Sequence, residues 1–262
     1  MAAYVAGPVL GGVLASNTDP GLVLLLDGAS FAGMLVVVAV AVPSGRGATA
    51  GEGRDAPPVS GWAVLRRVPV AAWLFVVDFL VDLFYMPVDV TLPLLVRGPL
   101  HASGAALGEI WTGFGVGAVA GAIAVNYLRR LPQITLLVVI IAGWAGCVIA
   151  VSLAPSVWAA AIAFAVGGLI WAPFGPIAYN LVQAALAPDE QQPVLTMWAA
   201  GVTIAQPLGL IVGGPLVQAT GTRGGLAASA ILTLLLVPIA ARTTRSLRRG
   251  QLVTAKPEYQ PP

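Results

Sequence analysis

Long apolar runs alternate with short polar interruptions along most of the chain, and the runs share a length. A helix needs about 20 residues to cross the hydrocarbon core of a bilayer. Eight runs come near it: 2–16, 21–42, 69–91, 104–128, 133–153, 157–182, 194–217 and 225–242, the first being short. Between them stand SNTDPG, a polar Gly/Pro/Ser-rich run over 43–60, RGPLHASG, RRLPQ, LAPS, APDEQQP and QATGTRG. These are turn-forming clusters. From about 243 the chain turns basic and then Pro-rich, which predicts a disordered tail. The pattern predicts an all-α membrane protein with about eight transmembrane helices.

Charge sharpens the picture. Of the 262 residues 58% are hydrophobic and only 9% charged. A soluble domain needs about 25% charged residues, so this chain must be solvated by lipid. With both termini cytoplasmic, the inner connections and tail hold Arg46, Arg54, Arg66, Arg67, Arg129, Arg130, Arg242, Arg245, Arg248, Arg249 and Lys256. The outer ones hold only Arg97 and Arg223. The positive-inside rule therefore predicts that orientation and an even number of spans. Lys256 is the only lysine, a bias that hints at a GC-rich bacterial genome and a bacterial plasma membrane. A net charge of +2 gives no basis for nucleic-acid binding. One cysteine, Cys147, and one histidine, His101, exclude an internal disulfide and a Cys/His metal centre. No metal or cofactor is expected. The opening MAAYVAGPVLGGVLAS has no basic n-region, so no cleavable signal peptide is predicted.

The stretch WLFVVDFLVDLFYMPVDVTLP carries Asp78, Asp82 and Asp89 in apolar surroundings. At 100° per residue they fall within about 40° of one another, and Tyr85 shares the stripe. An Asp at the centre of a membrane helix costs about 2.5–3.5 kcal/mol, while each Leu or Val returns about 0.3–0.6. A lipid-facing stripe is hard to sustain at that cost. The acids are therefore predicted to line a polar transport route and to exchange protons there. The competing reading is an Asp that caps or pairs within the bundle, with Asp89 reaching the outer interface. Asp27 is a further pathway candidate, set against a bond to a neighbouring helix. Glu109 is predicted at the surface.

Pro87 and Pro93 remove backbone donors and should bend or break the end of this helix. In GGLIWAPFGPIAYNLVQ, Gly168, Pro173, Gly175 and Pro176 weaken the helix, while Trp171, Asn180 and Gln183 offer an aromatic face and amides to a substrate. Close packing is the alternative. Gly113, Gly117 and Gly121 recur every four residues and predict a helix-packing face. Trp62, Trp73, Trp111, Trp158 and Trp198 fall near helix ends, as interfacial anchors do. A Gly-x-Gly-Asp signature of intramembrane aspartyl proteases is missing, so no enzyme is expected.

Several motifs resemble the major facilitator superfamily, in its bacterial drug, enterobactin and macrolide exporter branch. Gly7-Pro8-Val9-Leu10-Gly11-Gly12 is similar to the GPxxGG end of the antiporter motif on the family's fifth helix. LLLDGASF, GWAVLRRVPV and NLVQAALAPDE resemble its sixth helix, the entry to its seventh, and the connection from its tenth to its eleventh. AGPVLGG and AQPLGLIVGGP echo each other about six helices apart, as six-helix repeats do. In the gating loop after the eighth helix Gly121, Arg129 and Arg130 hold their places, but Val125 and Leu128 replace the usual Asp and Gly. The Arg of the family's Gly-Arg-Val after APDE is also lost.

The resemblance implies a partial major facilitator fold, helices five to twelve. Residues 1–42 would be the last two helices of the N-terminal half, 43–66 a cytoplasmic linker, 67–242 the complete C-terminal six-helix half, and 243–262 a cytoplasmic tail. It also implies proton-coupled efflux of small hydrophobic or amphipathic compounds. The partners would be the bilayer, the substrate, protons, and the missing N-terminal helices on another chain. The alternative is a truncated or degenerate fragment without transport of its own, or a non-transporting scaffold.

Overall fold

The computed structural model describes residues 20–41, 59–128 and 130–254. Among these residues the regular elements are all helices. They are α1 (Pro20–Ala41), α2 (Gly61–Arg67), α3 (Pro69–Arg97), α4 (Gly104–Leu128), α5 (Gln133–Leu153), α6 (Val157–Trp171), α7 (Phe174–Ala185) and α8 (Pro188–Thr254). The run 2–16 and the polar run 43–58 lie outside the described residues.

Five described stretches are long and apolar enough to span: Pro69–Arg97, Gly104–Val125, Gln133–Leu153, Val157–Ala185 and Pro188–Ala241. The last has 54 residues. As one rod it would be about 81 Å long, over twice the roughly 30 Å hydrocarbon core. It is divided at Gly221, whose φ of 73° lies in the region that favours glycine. The chain is an all-α membrane protein, and α3–α8 give six crossing legs where the sequence predicted six. α1 is exposed on every side over Leu25–Val40 and apolar except at Asp27 and Ser30.

Four boundaries differ from expectation. The linker ends in a short helix, α2. α3 continues through Pro87 and Pro93 to Arg97 and is not broken. Pro87 and Pro93 withdraw the donors to the Leu83 and Asp89 carbonyls; alongside, Thr91 Oγ1 donates to the Pro87 carbonyl at 2.6 Å, and Ser229 Oγ donates to the Phe84 carbonyl. The run 157–182 splits at Ala172-Pro173, where Pro173 and Pro176 withdraw two donors. Finally, α8 runs to Thr254, because TTRSLRRGQLVT contains no proline to stop it.

Close approach of backbones sets the packing. A Cβ built on Gly117 would overlap the Ala165 carbonyl oxygen, one on Gly121 the Leu169 carbonyl, and one on Gly168 the Phe114 carbonyl. The four-residue glycine spacing is thus the α4–α6 seam, as predicted. Between α3 and α8, a Cβ on Gly209 would lie 2.5 Å from the Leu83 carbonyl oxygen. Two apolar clusters fill the bundle. One joins Leu74, Val77 and Val81 to Ile141, Ile177 and Leu236. The other joins Val88, Leu92 and Leu95 to Val148, Phe164 and Leu226.

Polar clamps close both ends. At the Ser60 end, Arg67 pairs with Glu190, whose second oxygen accepts the Ala187 N–H at 3.2 Å. This is the N3 half of a capping box on α8. At the Gly221 end, Arg223 donates to the Ser152 and Ala154 carbonyls at 2.6 and 2.8 Å, capping α5.

Two outcomes follow for purified protein. Gly117→Val should turn a monodisperse size-exclusion peak into aggregate, while Gly146→Ala, with open space around it, should leave elution and Tm unchanged or better. Glu190→Ala should lose about 1–2 kcal/mol, chiefly the cap, because Arg67 is largely exposed and its pairing weak. Glu190→Gln should keep most of that stability, as read by thermal unfolding.

Candidate functional site

Asp78, Asp82, Tyr85 and Asp89 occupy successive turns of α3, and each is only partly exposed. The periodicity argument placed them on one face, and the fold turns that face inward. Asp78 Oδ2 accepts a 2.5 Å hydrogen bond from the indole Nε1 of Trp198 on α8. Asp82 lies close enough to Asp78 to feel its charge. Farther along α3, Tyr85 lies near enough to the Asp89 carboxylate for the two to interact. Asp89 Oδ1 is buried with no hydrogen-bond partner among the described residues. No described Lys or Arg forms an ion pair with any of the three acids; the Arg67–Glu190 pair stands apart from them.

Asp78 opens onto a cavity of about 410 Å³. Its other walls come from Gly175, Pro176, Ala178, Tyr179 and Asn180 of α7 and from Trp198 of α8. The cavity exists because α7 starts afresh after Pro173. Gly175 and Pro176 supply no bulky side chain there, and Tyr179 and Asn180 stand exposed one turn on. A carboxylate, an amide, a phenol and an indole thus converge on a mostly apolar wall, the composition of a small-molecule site.

Above this cavity the stripe meets a cluster of aromatic rings. Tyr85 packs on Trp144 at 5.4 Å between centroids, and Trp144 in turn contacts Phe114, Phe164 and Trp171. Trp171 stacks on Phe174 at 4.5 Å and 9°. The rings therefore connect the acidic stripe to the break between α6 and α7.

Of the other predicted residues, Asn180 lines the cavity, but Trp171 and Gln183 do not. Trp171 is held by the stack across the helix break. The Gln183 carbonyl accepts from Gln191 Nε2 at 3.2 Å, tying α7 to α8. Asp27 is exposed on α1, apart from the stripe, with its backbone carbonyl bonded by Ser30. Glu109 and Arg130 are exposed, and Gly121 packs on α6. Gly7, Pro8, Gly11, Gly12 and Arg129 lie outside the described residues.

The main residue that sequence reasoning missed is Trp198, taken for an interfacial anchor. Trp73 and Trp111 also differ from that expectation: Trp73 is buried, and Trp111 packs on Phe114 and Phe164. Trp62 and Trp158 are exposed. Tyr179 was likewise unmarked, although its place one turn after Pro176 and beside Asn180 was a signal.

Comparison with known proteins agrees with this architecture. The family model described as Major Facilitator Superfamily matches residues 74–258, more than half of the chain. Multidrug efflux pump Tap of Mycolicibacterium fortuitum is 28% identical over 246 residues, which cover 90% of this chain and 59% of the relative. Proteins of the same description from Mycobacterium bovis and Mycobacterium tuberculosis are 28% identical over 238 residues, 87% of this chain and 56% of theirs. The chain thus spans somewhat more than half the length of these relatives.

The cavity geometry makes an accessibility prediction. A thiol reacts with maleimide as the thiolate, which forms in water and not in lipid or a packed core. Tyr179→Cys and Asn180→Cys should label with a hydrophilic maleimide in reconstituted protein. Ile177→Cys, at a site only 4% exposed, should stay unlabelled until the protein is denatured.

Proposed function

The chain belongs to the Major Facilitator Superfamily, and on that premise we propose that it exports small hydrophobic or amphipathic compounds in exchange for protons. The observation that carries this reading is the Asp78 cavity. A carboxylate within a membrane-spanning helix is expensive unless it serves a route or a partner, and this one opens onto a space of ligand size. Asp82, Tyr85 and Asp89 continue the stripe. From Asp78 to Asp89 it rises about 16 Å along α3, roughly half the hydrocarbon core. It supplies proton-accepting groups at each turn on the way. The substrate occupies the cavity, the stripe carries protons, and rocking of α3–α8 against an opposing helical wall exposes the site to alternate sides. That wall comes from helices outside α3–α8, on this chain or another.

Export is supported by the relatives, described as multidrug efflux pumps, and by the GPVLGG motif. The charge asymmetry supports a bacterial plasma membrane location with both termini cytoplasmic, which puts the Ser60 end of the bundle inside. Such a protein is a transporter and not an enzyme.

The test is efflux of ethidium, a cation whose ring amino groups supply the N–H donors, from proteoliposomes holding the chain, driven by an imposed pH gradient. Asp78→Asn and Asp82→Asn should each lower the rate at least about tenfold, as loss of an essential proton-transfer group does. Glu109→Gln, exposed and away from the cavity, should export normally. Wild-type rates in both Asn variants would overturn the pathway. No flux from the wild-type chain would favour the fragment or scaffold reading.

A further inference from the structure

We propose that Trp198 is a built-in occupant of the Asp78 site: its indole N–H holds the carboxylate that a substrate's ammonium N–H takes over, so the cavity selects protonated amines able to donate a hydrogen bond. The inference rests on the reading of the cavity as the substrate site and names the substrate class.

Asp78 and Trp198 sit on different helices, 120 residues apart, and both line the same cavity. Their 2.5 Å bond is the one hydrogen bond found on the Asp78 carboxylate among the described residues. A carboxylate in an apolar wall needs a donor. The indole is a donor only and carries no charge. It therefore satisfies one oxygen and leaves the negative charge without a counter-charge. A substrate ammonium supplies both in one group, and such charge-assisted bonds are about twice as strong as neutral ones. Exchange of the indole for the ammonium is accordingly favourable.

The surroundings allow it. The Trp198 ring meets Phe75 edge-on at 6.5 Å, so the indole can turn off the carboxylate while keeping an aromatic contact. Its face and that of Tyr179 remain available to a cation. The volume of about 410 Å³ suits one small aromatic amine. A quaternary ammonium carries the same charge and has no N–H. It cannot replace the indole and is left with the ring faces alone.

The probes are N,N-dimethyl-1-naphthylmethylammonium and its N-methylated quaternary analogue, titrated calorimetrically into the purified full chain. Wild type should bind the amine about tenfold more tightly than the quaternary analogue, the difference one charge-assisted bond makes. Trp198→Phe removes the competitor and should tighten the amine by about three- to tenfold while moving the quaternary analogue less than about twofold. Asp78→Asn should weaken the amine at least about tenfold. If Trp198→Phe does not fold, the wild-type indole N–H resonance still decides: the amine should shift it and the quaternary analogue should not.

Equal affinity of the two probes for wild type, weaker or unchanged amine binding by Trp198→Phe, or an indole resonance that stays put overturns the role of Trp198. Those results leave Asp78 as a pathway residue. Amine binding that survives Asp78→Asn undiminished overturns the cavity assignment as well.

Discussion

In lipid no water waits to satisfy a backbone carbonyl that has lost its donor, and this constraint organises the bundle. Pro87 cannot donate to the Leu83 carbonyl, nor Pro173 to that of Leu169. At both places a glycine from a neighbouring helix lies against the carbonyl concerned, Gly209 for Leu83 and Gly121 for Leu169. With no Cβ in the way, a Cα–H can face the oxygen. The prolines that weaken α3 and the α6–α7 segment are thus also at points where α8 and α4 approach closely. The Asp78 cavity opens where the α3–α8 seam leaves room for α7.

The acids of α3 follow the same economy with neutral groups. A cation set against each would have been a second desolvated charge. Here the neighbours are an indole that donates to Asp78 and a phenol beside Asp89, and Asp82 shares the field of Asp78. Neutral neighbours hold the carboxylates in place without cancelling their charge. The face stays attractive to protons and to cations, as a transport surface needs to be.

Much of this was legible in the chain. Run lengths of about one bilayer crossing marked the spans, the 100° arithmetic marked one acidic face, and glycines at 113, 117 and 121 marked a helix-packing face. What single-helix periodicity assigns is a face, not the partner that meets it. That is why Trp198, near a helix start, read as an interface anchor, although α8 brings it to Asp78 from 120 positions away. Trp73 and Trp111 read the same way and are packed inside for the same reason. Pro173 and Pro176 marked a weak point, but not that the helix starts afresh there, because apolarity continues through the break. The passage of α3 through Pro87 brings in Gly209, a residue from a distant leg that lies against the freed Leu83 carbonyl and has no mark in hydropathy.

Gly221 carries a mechanical consequence. The two legs of α8 join there through a single non-helical residue, and Arg223 fixes the second leg to the end of α5. With the junction pinned, a rotation of the first leg about that point would be amplified along its length. Trp198 lies 23 residues away, so the lever arm is about 35 Å. A tilt of about 5° at Gly221 carries the indole about 3 Å on that geometry, the full length of its bond to Asp78. Small rotations at one face of the membrane are thereby converted into the making and breaking of a contact near the other.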